Sequence, residues 1–195
     1  MARMRQRAIE RAERVHLRHP RPDDADAFIA AVRASRRLHR PWAQLPDSPA
    51  AFTTLVERQE LPSEEVYLIC LNEDGTLVGM ANLGQIFFGH LRGAYLGYSA
   101  FVPHDGRGLM SEGVRLVLRQ AFGAIGLHRV EANVQPENAR SIALVERLGF
   151  RREGYSRKYL KIGGRWRDHV RYAILAEEFF ATESERRTRS PRDRS

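Results

Sequence analysis

The feature that most constrains this chain is a glycine turn set between a strand-like run and an amphipathic helix. Residues 94–102 read as an extended strand, and residues 111–124 place Val114, Leu116, Val117, Leu118 and Phe122 at helical spacing. Between them the run FVPHDGRGLM at 101–110 carries Gly106-Arg107-Gly108. A helix N-terminus offers unpaired backbone N–H groups and a partial positive charge. Glycine leaves no Cβ to hold an anion away. The segment therefore reads as a pyrophosphate cradle, with a plain tight turn as the alternative. It matches neither common nucleotide motif. A Walker loop requires Lys and Ser/Thr after its last glycine, where Leu109 and Met110 stand. A dinucleotide fingerprint requires a glycine where Ser111 stands.

The rest of the chain alternates between strands and helices. A strand at 15–19 precedes a helix capped by Asp23 or Asp24 and running to Leu38, closed by Pro41-Trp42. A helix at 48–60, a buried strand at 66–71, the Asp74-Gly75 hairpin signal and a return strand at 77–87 follow. Beyond the glycine turn, a strand at 128–134 puts Val130, Ala132 and Val134 on one face and Arg129, Glu131 and Asn133 on the other. A helix at 139–148 stops at Gly149, and a hairpin of 155–162 and 166–175 turns on Gly163-Gly164. This order predicts an α/β chain of mixed α+β type, with a central, mostly antiparallel twisted sheet flanked by helices.

With 195 residues the chain suffices for one domain with trimmings: a basic extension at 1–14, a globular body at 15–180 and an Arg-rich, unstructured tail at 181–195. No apolar run approaches a membrane span, and none follows the basic start as a secretory leader requires. Cys70 is the one cysteine, so no internal disulfide forms, and no zinc-spaced cluster exists. A cytoplasmic protein without metal or membrane attachment is expected. Of the net charge of +8, residues 1–14 hold +3 and residues 182–195 hold +2, which leaves the middle mildly basic. The two ends read as solvated tails, or as contacts that steer the protein toward ribosomes or RNA.

About thirty residues past the glycine turn lies NVQPENARSIALVERLGF at 133–150. Asn138 can N-cap the helix, and Ser141, three residues on, shares its face. Together the two segments resemble the GCN5-related N-acetyltransferase (GNAT) superfamily. The strand, glycine turn and helix resemble its acetyl-CoA motif; Asn138, Ser141 and Leu148-Gly149-Phe150 resemble the next one. Pro41-Trp42, Tyr95, Tyr98, His128-Arg129, Glu153-Gly154-Tyr155, Tyr159-Leu160 and Trp166-Arg167-Asp168-His169 resemble the RimJ/RimL group, which acetylates N-termini of ribosomal proteins, and RimJ in particular. The likeness spans about residues 15–180. It implies the GNAT fold with a splayed acetyl-CoA cleft in the sheet, and acetyl-CoA as co-substrate. It implies cofactor contacts from Phe101, Val102, Asp105, Gly106, Arg107, Gly108, Leu109, Met110, Asn138 and Ser141. Three positions depart from the pattern. Pro103 stands where Gln or Arg is frequent, Val145 where many relatives carry a tyrosine that protonates the leaving thiolate, and Lys158 where RimJ/RimL relatives carry an acid.

The implied reaction is direct attack of an amine on the thioester in a ternary complex. Pantetheine would pair with exposed backbone of Phe101 and Val102, and an amide near Phe101 would hold the oxyanion. An α-amine, with a pKa near 7.7–8.0, needs only a modest base or a water chain. This favours a protein N-terminus as acceptor, a ribosomal protein's above all. The catalytic candidates are Ser141, as donor to the thiolate, with Glu131 and Tyr98; His169 is a further base or water anchor. Each has a bland alternative: Glu131 tied to an arginine, Tyr98 as cleft wall, Ser141 as a simple cofactor contact, His169 hydrogen-bonded to Asp168. Trp42 and Trp166 would wall the acceptor groove or pack in the core, and Cys70 is inert core. Two other functions stay open: an acetyltransferase for a polyamine, aminoglycoside or amino acid, and a non-catalytic acetyl-CoA- or RNA-binding module. Monomer and homodimer both fit.

Overall fold

The computed structural model of the chain describes residues 9–189, so the outermost parts of both basic ends, 1–8 and 190–195, lie outside the described residues. Eight strands form one sheet: β1 (Glu10–Arg11), β2 (Val15–Arg18), β3 (Glu64–Leu71), β4 (Leu77–Phe87), β5 (Gly93–Ala100), β6 (Arg129–Val134), β7 (Arg151–Ile162) and β8 (Arg165–Leu175). Their spatial order is β1-β2-β3-β4-β5-β6-β8-β7. Every neighbouring pair is antiparallel except β5 and β6. That parallel pair has a short register: Gly93, Ala94 and Tyr95 lie opposite Arg129, Val130 and Glu131. Beyond Tyr95, β5 continues beside β4 while β6 follows β8, and the sheet opens into a wedge. The expected mixed, mostly antiparallel sheet with a splayed cleft is therefore the observed one.

Helices α1 (Ala25–Ala34), α2 (Arg36–His39) and α3 (Pro49–Glu57) lie in the first half of the chain; α4 (Leu109–Arg119), α5 (Ala139–Arg147) and α6 (Ala176–Arg189) lie in the second. Strand β3 shows how the two faces are filled. Val66, Leu68 and Cys70 join Phe28 and Phe52 in one core, while Tyr67 and Ile69 join Val114, Val117 and Val145 in the other. A strand buried on both faces reads as a continuous apolar run, which is why VYLICL stands out in the sequence. Burial raises the Cys70 thiol to about 11, so it stays protonated. Phe101 follows β5 and inserts its ring among Phe28 and Phe52; its centroid is 5.5 Å from that of Phe28. Phe101→Ala should cost about 3–5 kcal/mol of stability, measurable by denaturant unfolding.

Three local expectations need correction. The helix foreseen from Asp23 or Asp24 to Leu38 breaks at Ser35 into α1 and α2. Asp24 does not cap it, because its carboxylate grips Arg18 at 2.7 Å through both oxygens. The stretch from 181, expected as an unstructured tail, is helical as far as Arg189. Within the expected N-terminal extension, β1 already pairs with β2. Among the described residues no helix is long and apolar enough to cross a membrane.

Candidate active site

The wedge between β5 and β6 leads into a cavity of about 600 Å³ that collects Tyr98, Ser141, Asn138, the glycine turn and His169 on its walls. Its first determinant is the backbone phase of β5. The amide of Phe101 donates to Val78 O at 2.7 Å, which aims odd-numbered residues of β5 at β4. The amides and carbonyls of Tyr98 and Ala100 therefore face the wedge, and Ala100 O already accepts from His39 Nε2 at 2.8 Å. The expectation for Phe101 and Val102 is thus corrected. Phe101 N–H is spent on Val78, and Val102 N–H donates to the Ser35 hydroxyl at 3.0 Å. The free edge lies nearer Tyr98.

The glycine turn has the backbone geometry that an anion site needs. Gly108 adopts φ +79° and caps α4 without a side chain, and Gly106 has φ +73°. A Cβ on Gly106 would meet nothing within 4 Å, so the space above the turn is open. The first intrahelical bond runs from Glu112 N to Gly108 O, which leaves Leu109, Met110 and Ser111 amides at the helix mouth. Asp105 accepts from Arg140 at 3.1 Å and so ties the turn to α5. Arg140 and Arg147 add positive charge to the same wall. These residues fit a pyrophosphate.

One residue of this turn escaped the sequence reading. Arg14, placed there in the basic extension, reaches across to α4. It donates Nε to Glu112 Oε1 at 2.6 Å, its own amide to Glu112 Oε2 at 3.1 Å, and Nη1 to Arg107 O at 3.2 Å. No local pattern announces a contact between residues 98 apart. Arg14→Ala should raise the acetyl-CoA Kd by roughly tenfold, the worth of one charge-assisted clamp, as read by calorimetric titration.

Farther in, Asn138 does cap α5, accepting from Ser141 N at 3.2 Å. The Tyr98 and Ser141 hydroxyls are 2.5 Å apart, and Tyr98 OH also lies 3.2 Å from Ser141 O. Burial pushes the Tyr98 phenol up to about 12 even though the Ser141 bond pulls it down. The pair therefore keeps its proton and can donate it. Val145, where a tyrosine was missing from the helix, is sealed in the core; the phenol arrives from β5 instead.

His169 is buried on the cavity wall. Its Nδ1 lies 3.0 Å from Arg167 O, a pure acceptor, so Nδ1 carries the proton and Nε2 keeps a lone pair. Burial lowers its pKa from the ordinary 6.5. The pairing expected with Asp168 is absent: that carboxylate accepts from Tyr155 OH at 2.5 Å and Lys158 N at 2.7 Å. Glu131 is also corrected. It takes Arg129 Nε at 3.0 Å and lies outside the main cavity, because Arg129 on the same strand face reaches it first. Trp42 lines the cavity, whereas Trp166 is exposed and does not. Gln135, buried, fixes the Trp42 segment by donating to Trp42 O at 3.1 Å. Asn133 on the wall keeps a buried Oδ1 without a hydrogen-bond partner.

The wedge, the glycine turn and the Tyr98–Ser141 pair thus meet around one cavity. The acetyltransferase (GNAT) domain family matches residues 14–151. The chain belongs to the GNAT acetyltransferases. It is 43% identical over 123 residues to the Bacillus subtilis "probable N-acetyltransferase YjcK", covering 63% of this chain and 68% of that one. It is 38% identical over 107 residues to the Escherichia coli [ribosomal protein uS5]-alanine N-acetyltransferase, a match spanning 55% of each chain. Among solved structures, Mycobacterium smegmatis RimJ in complex with CoA-disulfide superposes with a TM-score of 0.77 at 29% identity, covering 87% of this chain and 89% of that one. The chain is thus an acetyl-CoA-dependent N-acetyltransferase of RimJ-like GNAT type, and acetyl-CoA is its co-substrate.

Proposed function

We propose that this GNAT enzyme acetylates the N-terminal α-amine of a polypeptide, with ribosomal proteins as the natural acceptor class. The observation that carries this reading is the acceptor side of the cavity. Leu38, His39, Trp42, Leu160, Ile162 and His169 line it, and no carboxylate stands among them. Among the described residues the one acid on the cavity wall, Asp105, is at the glycine turn and bound to Arg140. A polyamine or aminoglycoside would bring several positive charges to a site with nothing to neutralise them. A single α-amine, half neutral near its pKa, needs no such partner.

Acetyl-CoA supplies an acyl group already activated as a thioester. The wedge edge at Tyr98 and Ala100 gives pantetheine and the thioester oxygen their backbone partners, and Asn133 Oδ1 accepts an N–H from a bound amide or amine. As the amine nitrogen bonds to the carbonyl carbon its protons become acidic, and His169 Nε2 takes one. The C–S bond breaks, and the sulfur receives the proton shared by Tyr98 and Ser141. The imidazolium then returns its proton, through water, to the Tyr98–Ser141 pair, which restores both groups. Ser141→Ala should lower kcat about tenfold with little change in the KM for acetyl-CoA; equal turnover would reduce Ser141 to a packing role.

The deciding experiment presents acetyl-CoA and a panel to the full chain: peptides beginning Ala, Ser, Thr or Met, internal-lysine peptides, polyamines and aminoglycosides. CoA release and mass spectrometry of products are read together. Acetylation confined to peptide α-amines supports the proposal; turnover of polyamines or aminoglycosides alone overturns it. The expected contact with ribosomes or RNA through the basic ends falls largely outside the described residues.

A further inference from the structure

The even average charge of the middle of the chain conceals a local extreme. Residues 151–171, the β7–β8 hairpin and its turn, hold eight Arg and Lys against two acids, a net +6 out of +8 for the whole chain. Both acids are already engaged: Glu153 with Arg129, and Asp168 with Tyr155 and the Lys158 amide. Glu131, on the same side of β6, also belongs to Arg129.

The placement of the cations gives the charge a direction. On β8, Arg165, Arg167, His169 and Arg171 alternate on one face, at about 6.7 Å per step. Their cross-strand partners are Ile162, Leu160, Ser156 and Gly154. Leu160, Ile162 and His169 line the acceptor side of the cavity, so Arg165 and Arg167 continue that wall outward. Among the described residues Arg165, Arg167 and Arg171 form no ion pair, and the Nε atoms of Arg167 and Arg171 are buried without a hydrogen-bond partner. Gly154 makes room for this: a Cβ there would stand 2.8 Å from Arg171 Nη2. The α2 segment contributes Arg37 and Arg40, both exposed and adjacent in sequence to cavity-lining Leu38 and His39. They too form no ion pair among the described residues, while Asp47 nearby is taken by Arg36.

We infer that this arginine rim selects acceptor polypeptides whose residues just after the N-terminus are acidic. The inference rests on the α-amine reading above. The exposed guanidinium groups of Arg37, Arg40 and Arg165, without an ion pair among the described residues, favour planar anionic partners. An extended peptide leaving the cavity would carry carboxylates past Arg167, Arg165 and Arg40. The same cations could meet RNA phosphates, but their row is continuous with the acceptor wall. The exposed Trp166, the natural stacking platform for a base, lies on the other face of the hairpin, opposite Lys161.

The test compares two N-terminal-alanine peptides of equal length, one continuing Asp-Glu-Asp and one Lys-Arg-Lys. The acidic peptide should show a kcat/KM about tenfold or more above the basic one at low salt, with the gap closing as salt rises. Arg40→Glu with Arg165→Glu should invert the order, while acetylation of alaninamide and acetyl-CoA affinity stay unchanged. Equal rates on the two peptides, or preference for the basic one, overturn the inference. So does an RNA oligonucleotide whose binding is lost in the double variant while peptide preference is flat. Binding of the labelled peptides to the CoA-loaded chain is measured in parallel. Charge-selective binding without acetylation would sink the α-amine reaction and leave the rim standing; acetylation without charge selectivity would do the reverse.

Discussion

His169→Gln should lower kcat by about 100- to 1,000-fold, the usual worth of a positioned base, and leave the acetyl-CoA Kd where it was. Glutamine keeps a donor for Arg167 O and much of the ring's volume, so loss of the rate with binding intact isolates the lone pair on Nε2. The pH profile separates chemistry from packing. Burial lowers the His169 pKa, while the Arg167 carbonyl and the Asp168 charge oppose that shift, and Tyr159 faces the ring 6.0 Å away. Because the pKa is depressed, the neutral, competent form persists as pH falls through 6.5. The wild-type kcat should hold its plateau there and decline only at more acid pH, and the glutamine variant should lack that decline. Tyr98, raised to about 12, should add no alkaline fall in the neutral range. A variant with wild-type kcat would remove His169 from the chemistry.

Gly108→Val should weaken acetyl-CoA binding at least about 100-fold while the circular dichroism spectrum stays native. Two effects combine. Gly108 sits at φ +79°, a region that costs a β-branched residue about 1–3 kcal/mol. Its Cβ would also come into contact, at 3.4 Å, with Arg14 Nη2, the side chain that braces the turn. The loop would relax by rotating its amides away from the phosphates. Gly106→Ala is the graded control. It carries the conformational cost, but its Cβ meets nothing within 4 Å, so its effect should be several-fold smaller. If titration gave both variants wild-type affinity, the turn would not be the cradle.

The legible parts of this fold were those set by local chemistry. Asp74-Gly75 announced a hairpin, and β4 runs from Leu77 to Phe87 as its pattern indicates. Asn138 sat where a cap belongs and is one. The alternation of β6 put Glu131 on the correct face, yet a face is not a site: Arg129, two residues back, outcompetes the cavity for that carboxylate. Tyr98 and Ser141 were each named, but their contact depends on where β5 leaves β6, which no window of sequence encodes. Backbone commitments were equally hidden. The Phe101 and Val102 amides looked open until Val78 and the buried Ser35 hydroxyl took them. Ser35 also marks the break between α1 and α2, so one residue decides both the helix and the fate of an amide sixty-seven positions away.

The early parting of β5 and β6 also answers a problem every sheet faces. A strand with one unpaired side is a template for any other extended chain, and a long one invites aggregation. Here the unpaired length of β5 lies along the wall of the cavity between β5 and β6 rather than at the rim of the sheet. One outer margin, β7, is open to solvent instead and is studded with Arg152, Arg157 and Lys158, whose like charges repel a second copy; the other, β1, is only two residues long. The protein thus keeps one sticky edge for its ligand by hiding it, renders a second harmless by charging it and keeps the third short.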